Sequence, residues 1–185
     1  MQVKSEIQRL LSQVKKQEPK VVVEIGTANG GTLFLFTRVA DASADIYSID
    51  LPGGAFGGGY AFWKKRLYKA FARKEQTIHL IRANSHETKT KERLEKKLKG
   101  RQIDVLFIDG DHSYEGVKQD FELYQDLVRP GGLIGFHDVA KHTPERNCHV
   151  DQYWQEIKQK YSKQWEFIQK EDQGWGGIGL IQKNK

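Results

Sequence analysis

Apolar residues recur at three- and four-residue spacing over residues 3–16, where Val3, Ile7, Leu10, Leu11 and Val14 fall on one stripe. That period predicts an amphipathic helix. The pattern then becomes continuous and β-branched in "KVVVEIG", which predicts a buried strand ended by glycine. Onward, helical and strand-like patterns alternate. "GGTLFLFTRVA" reads as an apolar helix and "DIYSID" as a short strand. "YAFWKKRLYKAFARK" reads as an amphipathic helix that packs Phe62, Leu67, Tyr68 and Phe71, and "TIHLIRA" as a third strand. Residues 86–99 form a charged helix anchored by Leu94 and Leu98, followed by a fourth strand, "IDVLFID". A helix over 114–128 buries Val117, Phe121, Tyr124 and Val128, leaving Asp120 on its exposed side. The turn "RPGG" opens a fifth strand, "GGLIGFHD", and a helix near 150–162 follows.

Strands alternating with helices imply parallel pairing through right-handed crossovers. The tail departs from this rule. Between "WEFIQK" and "GGIGLIQK" lies only a short polar loop, "EDQGW", so no helix fits and the pair forms an antiparallel hairpin. The expected fold is α/β: a doubly wound, seven-stranded, mostly parallel sheet with a C-terminal antiparallel hairpin. Residues 1–185 make one domain, with 1–17 as an N-terminal helix.

Ligands of open doubly wound sheets sit at the carboxyl ends of the strands, which directs attention to the residues found there. Strand one ends "EIGTANGGT", a loop whose glycines Gly26, Gly30 and Gly31 either admit a ligand to the backbone or make a tight strand–helix turn. Their spacing is not the G-x-G-x-x-G of dinucleotide-binding proteins. Strand two ends at Asp50, an acid able to accept both hydroxyls of a ribose, or to cap a turn. Strand three ends with Asn84 and Ser85, placed to bond a base edge or a backbone, with Ser85 as an alternative helix cap. Strand four ends at Asp109 in "FIDGDHSYEGVKQD", and strand five at His137 and Asp138. Adjacent parallel strands bring these last two ends together. Two carboxylates and an imidazole suit a first-row divalent ion, although a metal-free polar site, with Asp109 touching a cofactor directly, uses the same groups. Asp111 reaches solvent or caps the next helix.

Composition narrows the field. The chain has 185 residues, 38% hydrophobic and 29% charged, as in a globular protein large enough to bury a core. No apolar run approaches a membrane span and the N-terminus lacks a signal-peptide core, so the expected location is cytoplasmic. A single cysteine, Cys148, excludes an internal disulfide and reads as a bystander. The net charge of +6 comes from segments such as "TKTKERLEKKLKGR", in which acids interrupt the bases. No RNA-binding signature accompanies it, so nucleic acid is not the expected partner. His79, His86, His142 and His149 read as surface or structural residues.

Taken together, "VEIGTANGGT", "IDLPGGAFGGGY", "IDGDHSYEGVKQDFELY" and "RPGGLIGFHDV" resemble class I S-adenosylmethionine-dependent methyltransferases of Rossmann-like fold. Within them the chain resembles the small-molecule O-methyltransferase branch that includes macrocin O-methyltransferases and cephalosporin-hydroxylase-like proteins. The resemblance runs from about residue 18 to the end. It implies S-adenosyl-L-methionine as cofactor, with Glu24, Gly26 and Thr27 around its methionine part, Asn29 and Gly30 among its other binding residues, and Asp50 on its ribose. Asn84 and Ser85 then face adenine, where the family often has Asp-Ser, and Asp109 completes the cofactor site. It implies Asp109, His137 and Asp138 as ligands of a divalent metal (Mg or Mn), and His112, with Asp109, as catalytic residues, His112 being the general base. The implied partner is a small-molecule hydroxyl acceptor, a sugar or secondary metabolite. The glycine-rich stretch after strand two and "VAKHTPERNCH" after strand five flank the cleft mouth, with Tyr60, Phe62 and Trp63 stacking on a ring or packing in the core. One N-terminal helix is too short to be a substrate domain, so homo-oligomer contacts or partner helices are expected to complete the pocket. Hydroxylation on the same scaffold and non-catalytic nucleoside binding remain alternatives; the glycine spacing disfavours an NAD-linked oxidoreductase.

Overall fold

The computed structural model describes residues 2–53 and 59–184. Its elements follow in the order α1 (Lys4–Lys16), β1 (Val21–Ile25), α2 (Gly31–Val39), β2 (Asp45–Asp50), α3 (Lys64–Lys69), β3 (Thr77–Arg82), α4 (Thr88–Leu98), β4 (Ile103–Ile108), α5 (Tyr114–Tyr124), β5 (Val128–His137), α6 (Val150–Ile157), β6 (Gln164–Phe167) and β7 (Ile178–Gln182). The strands form one sheet in the order β3-β2-β1-β4-β5-β7-β6. Pairing is parallel from β3 to β5, and β7 runs antiparallel between β5 and β6. This is the doubly wound α/β sheet with a terminal antiparallel pair that the sequence predicts.

Each strand of the sheet's centre buries both faces, as parallel strands covered by helices must. Along β1, Val21, Val23 and Ile25 join the core with Leu94, Val117, Phe121 and Trp154 of α4, α5 and α6. Val22 points the other way, to Leu10, Phe36 and Tyr68 of α1, α2 and α3. The two-residue side-chain period puts Glu24 on that second face, inside the protein rather than at its rim. The chain leaves β1 for β2 on one side and reaches β4 on the other, so a crevice opens above the β1–β4 junction.

Several expectations need correction. The helix expected over 60–74 is only Lys64–Lys69, and Phe62 (70% exposed), Trp63 (68%) and Leu67 (50%) face solvent, whereas Tyr60 and Tyr68 are buried. Apolar spacing there does not mark a packed stripe, because the short helix turns only Tyr68 inward. Helix α5 stops at Tyr124 and passes through a 3₁₀ turn, Gln125–Leu127, and Val128 already belongs to β5. "RPGG" is therefore an irregularity within β5, where the register with β4 shifts between Ile103 and Val105, not a turn before it. Helix α6 ends at Ile157, with a 3₁₀ turn over Lys158–Lys160. Asp120 is wholly buried on the same stripe as Val117, Phe121 and Tyr124, not exposed. The β6–β7 connection spans 168–177 and is tied to α1. The buried Glu6 carboxylate accepts from Gln169 N (2.9 Å), Gln173 Nε2 (2.8 Å) and Gly177 N (2.9 Å). The expected loop glycines Gly54, Gly57 and Gly58 lie outside the described residues.

Candidate functional site

The crevice begins with a backbone approach that only glycine permits. Gly26 has φ +84°, and a Cβ there would sit 1.9 Å from the carbonyl oxygen of Asp109. Its N–H donates to Ile49 O (2.9 Å), and Asp109 N donates to Ile25 O (2.8 Å), so the ends of β1, β2 and β4 are laced together. Asp50, at the end of β2, bends the next loop around itself. Its Oδ2 accepts from Thr27 N and Ala28 N, both at 2.7 Å, and holds Ala28 at φ +43°. Its other oxygen, Oδ1, is buried with no hydrogen-bond partner among the described residues. Beneath this loop, Thr27 Oγ1 donates to Glu24 Oε2 (3.1 Å) and lies 2.5 Å from Ser48 Oγ. Glu24 Oε1 is a second buried orphan. Burial pushes the Glu24 carboxyl well above the usual carboxylate range, against the Thr27 hydrogen bond and with the nearby Asp109 and Asp50 charges adding to the rise. Burying polar atoms without partners is costly, so such orphans mark where a polar ligand completes the structure.

A cleft of about 550 Å³ opens above these groups. Of the residues predicted for a cofactor, Gly26, Thr27, Asn29, Asp50, Asn84, Ser85 and Asp109 line it, and so do His112 and Asp111. Glu24 lies under its floor. Gly30 does not line it: Gly30 caps α2 at φ +76°, and its missing Cβ makes room for the Tyr68 ring, while Gly31 faces the cleft instead. Asn84 Oδ1 accepts from His86 N (3.0 Å) in a local turn, which leaves its NH₂ unused by that bond. Ser85 is not the cap of α4, since Glu87 occupies that position and makes no side-chain cap bond. Asp111 Oδ1 accepts from Ser113 N (2.9 Å), and Ser113 Oγ caps α5 through Gly116 N (3.0 Å), so Asp111 stiffens the turn that carries His112.

At one end of the cleft the acids and imidazoles gather. His137 Nδ1 lies 3.1 Å from Asp109 Oδ1 and 3.0 Å from Asp138 Oδ2. Neither contact has hydrogen-bond geometry; both ring nitrogens of His137, only 4% exposed, lack a hydrogen-bond partner among the described residues. Nitrogen and oxygen atoms that converge at about 3 Å match the donor spacing around a first-row divalent ion. Asp109, His137 and Asp138 thus have the chemistry and the spacing to hold one. Without it, a proton supplies the positive charge. Burial opposes the imidazolium of His137, but the Asp109 and Asp138 carboxylates outweigh burial and lift its pKa to about 10. Asp138, in turn, is held far below the usual carboxylate range despite its burial, chiefly by His137 and His142. His112 spans the two acids, Nε2 at 3.7 Å from Asp109 Oδ1 and Nδ1 at 3.4 Å from Asp138 Oδ2.

The sequence reading missed two members of this cluster. His142, expected at the surface, has Nε2 3.1 Å from Asp138 Oδ1 and Nδ1 2.7 Å from Ala140 O. Cys148 is buried, and together with Arg146 and Trp175 it closes a hollow of about 460 Å³ that also receives His112, His137, Asp138 and His142. The four-residue step from Asp138 to His142 was the available signal. His86, also expected to be surface or structural, lines the cleft and sits 3.5 Å from the buried Asp120.

Residues 23–139 match the family model described as a methyltransferase domain. Protein y4gI of Sinorhizobium fredii is 27% identical over 142 residues, 75% of this chain and 15% of that protein. Protein R132 of Acanthamoeba polyphaga mimivirus is 33% identical over 128 residues, 69% of this chain and 55% of that protein. The chain therefore spans about half of one curated relative and a small part of the other. Among solved structures, an O-methyltransferase from Bacillus cereus in complex with SAH has the same fold, with a TM-score of 0.69 at 16% identity over 98% of this chain and 82% of that one. No helix of the described residues is long and apolar enough to cross a membrane. The family match takes in the Gly26 loop, Asp50 and the acid–imidazole cluster up to Asp138, and on that ground the chain belongs to the methyltransferase domain family.

Proposed function

We propose that this chain is an S-adenosylmethionine-dependent O-methyltransferase that acts on a hydroxyl of a small molecule. The observation that carries the reading is an orphaned, buried Asp50 Oδ1 in the cleft that Asp109 and His112 also line, both of which reach the adjoining hollow of His137 and Asp138. S-adenosylmethionine, when bound, supplies a methyl group already activated on a sulfonium, so the protein has to provide position and electrostatics. Asp50 Oδ1 accepts from the ribose hydroxyls, while Oδ2 keeps the loop over Thr27 and Ala28 in place. Glu24 and Thr27 bound the methionine end, and the Asn84 amide and Ser85 take the adenine edge. The Bacillus cereus neighbour, which has SAH bound, supports this choice of cofactor.

At the other end, His112 removes the acceptor's proton at Nε2 as the oxygen attacks, and Asp138, 3.4 Å from Nδ1, orients the ring and stabilises its charge. Asp109, His137 and Asp138 would hold a divalent cation, which supplies positive charge that lowers the pKa of a nearby hydroxyl. Bound S-adenosylmethionine would give its methyl to that oxygen as the bond to sulfur breaks, and His112 would release the proton to solvent. Phe62 and Trp63, both exposed, offer apolar surface to a ring-bearing acceptor.

A screen of sugar and phenolic acceptors by mass shift, with S-adenosylhomocysteine titrated calorimetrically alongside, tests the reading. His112→Gln is expected to cost about 10²–10⁴-fold in turnover and to leave S-adenosylhomocysteine affinity nearly unchanged. Turnover that survives this substitution removes His112 as the base. Failure of the wild type to bind S-adenosylhomocysteine removes the whole reading.

A further inference from the structure

Beside the Asp109–His137–Asp138 group lies another set of donors with a different character. We propose that His112, Asp138 and Cys148 form a second cation site that takes a thiophilic divalent ion of the zinc class, and that filling it withdraws His112 from proton transfer. The second half of this statement rests on the role given to His112 above; the first half does not.

Three observations carry the site. Each of the three residues offers one ligand atom, and these atoms all lie within 4.8 Å of one another. Their arrangement is also built, not incidental. Cys148 arrives on the connection between β5 and α6, and its neighbour His149 donates its backbone N–H to His112 O at 2.8 Å. That bond clamps the connection to the β4–α5 loop, with the Cys148 thiol hydrogen-bonded to His142 and within 4.8 Å of a His112 ring nitrogen. Finally, His137, 4% exposed and with both ring nitrogens lacking hydrogen-bond partners among the described residues, is aimed into the same hollow.

The chemistry of the donors separates the two groups. Asp109, His137 and Asp138 present two oxygens and one nitrogen, a set that accepts manganese or, less readily, magnesium. Substituting a thiolate for one oxygen turns preference towards zinc or cobalt. Zinc bonds at about 2.0–2.3 Å require donor separations of about 3.3–3.8 Å in a tetrahedron. The edge from His112 Nδ1 to Asp138 Oδ2 is 3.4 Å. That oxygen is also the one nearest His137 Nδ1, at 3.0 Å. Asp138 is therefore a fork: an ion drawn to Cys148 and His112 takes the oxygen that the harder group needs, and it takes the base as well. On binding, the Cys148 thiol releases its proton to solvent, and the hollow leaves the fourth position to water.

The test uses the full chain freed of metal by chelation. Titrating cobalt(II) is expected to raise a near-ultraviolet thiolate-to-cobalt charge-transfer band in the wild type, and zinc is expected to abolish it by displacement. Cys148→Ser and Cys148→Ala, the second guarding against misfolding of the first, should both lack the band. Both should lose zinc affinity by at least about 10-fold, the size of effect that even an outer-sphere partner has on a metal site, with manganese affinity unchanged. Zinc should inhibit wild-type turnover and spare both variants, each compared with its own zinc-free rate. No band in the wild type, or equal zinc affinity in the variants, overturns the site while S-adenosylhomocysteine binding and turnover still uphold the enzyme reading. A band without inhibition leaves the site standing and overturns the role of His112.

Discussion

Replacing Asp50 with asparagine changes one atom of a side chain that has two separate duties. Its Oδ2 accepts two backbone N–H groups at 2.7 Å, and its Oδ1 lies buried and unpaired at the cleft floor. In the Asp50→Asn variant the amide oxygen, facing Thr27 and Ala28, keeps those two bonds in weaker, neutral form. The NH₂ group then turns into the cleft where the ribose hydroxyls expect an acceptor. A hydrogen bond to a charged group contributes about 1.5–3 kcal/mol. Losing one such bond to the cofactor lowers affinity by roughly 10- to 150-fold. Isothermal titration with S-adenosylhomocysteine reads this directly and needs no knowledge of the acceptor. A melting curve of the same sample confirms that the Thr27–Ala28 turn survives. Affinity within twofold of wild type, in a variant that melts normally, would refute the assignment of Asp50 to the ribose.

Two further outcomes concern the frame around the site. Glu6→Ala strands the donors of Gln169, Gln173 and Gly177 and should cost about 3 kcal/mol or more in urea denaturation, with faster hydrogen exchange at residues 169 and 177; a loss under about 1 kcal/mol would show that water replaces Glu6 at no cost. The pair of His86 and the buried Asp120 gives stability a pH dependence of known sign. Asp120, 3.5 Å away, raises the His86 pKa from its ordinary 6.5, against the cost of burial. Below 6.5 His86 is charged both folded and unfolded, and the pair contributes in full. As pH rises through the raised folded value the proton is lost and the contribution vanishes. The melting-temperature gap between wild type and His86→Gln should therefore shrink as pH is raised; a gap that widens contradicts the ion pair.

The sheet was legible because its strands are β-branched runs closed by glycine or acid, and because a helix could not fit before Ile178. From the strand order alone, Gly26, Asp50, Asp109 and His137 had to meet at one rim, and the structure places them there. What stayed illegible follows from local physics. Asp120 is in phase with Val117 and Tyr124, three residues after one and four before the other, so spacing put it inside while its residue type argued for outside. A buried carboxylate needs a partner, and His86 lies 34 residues earlier in the chain. Cys148 and His142 sit on a connection with no period at all, broken by the 3₁₀ turn at Pro144–Arg146. Tertiary bonds fix where that segment lies: Val139 N, Ala140 N and Thr143 N donate to Gly177 O, Gly176 O and Gly174 O, and His149 N donates to His112 O. Phe62 and Leu67 misled in the opposite direction, because an apolar residue on or beside a helix as short as α3 carries little information about burial.

Gln2 and Gln182 lie at opposite ends of the sheet's strands. Gln2 donates from Nε2 to Asp109 Oδ2 at 3.1 Å, right at the rim of the cleft. Strand β7 runs away from that rim, from Ile178 beside His137 down to Gln182 beside Leu133. A purification tag or fluorescent label fused ahead of Gln2 thus emerges over the opening and competes for it, whereas one attached after Lys183 leaves from the opposite end of the strands, away from the opening. Immobilisation for binding measurements should be made through the distal end.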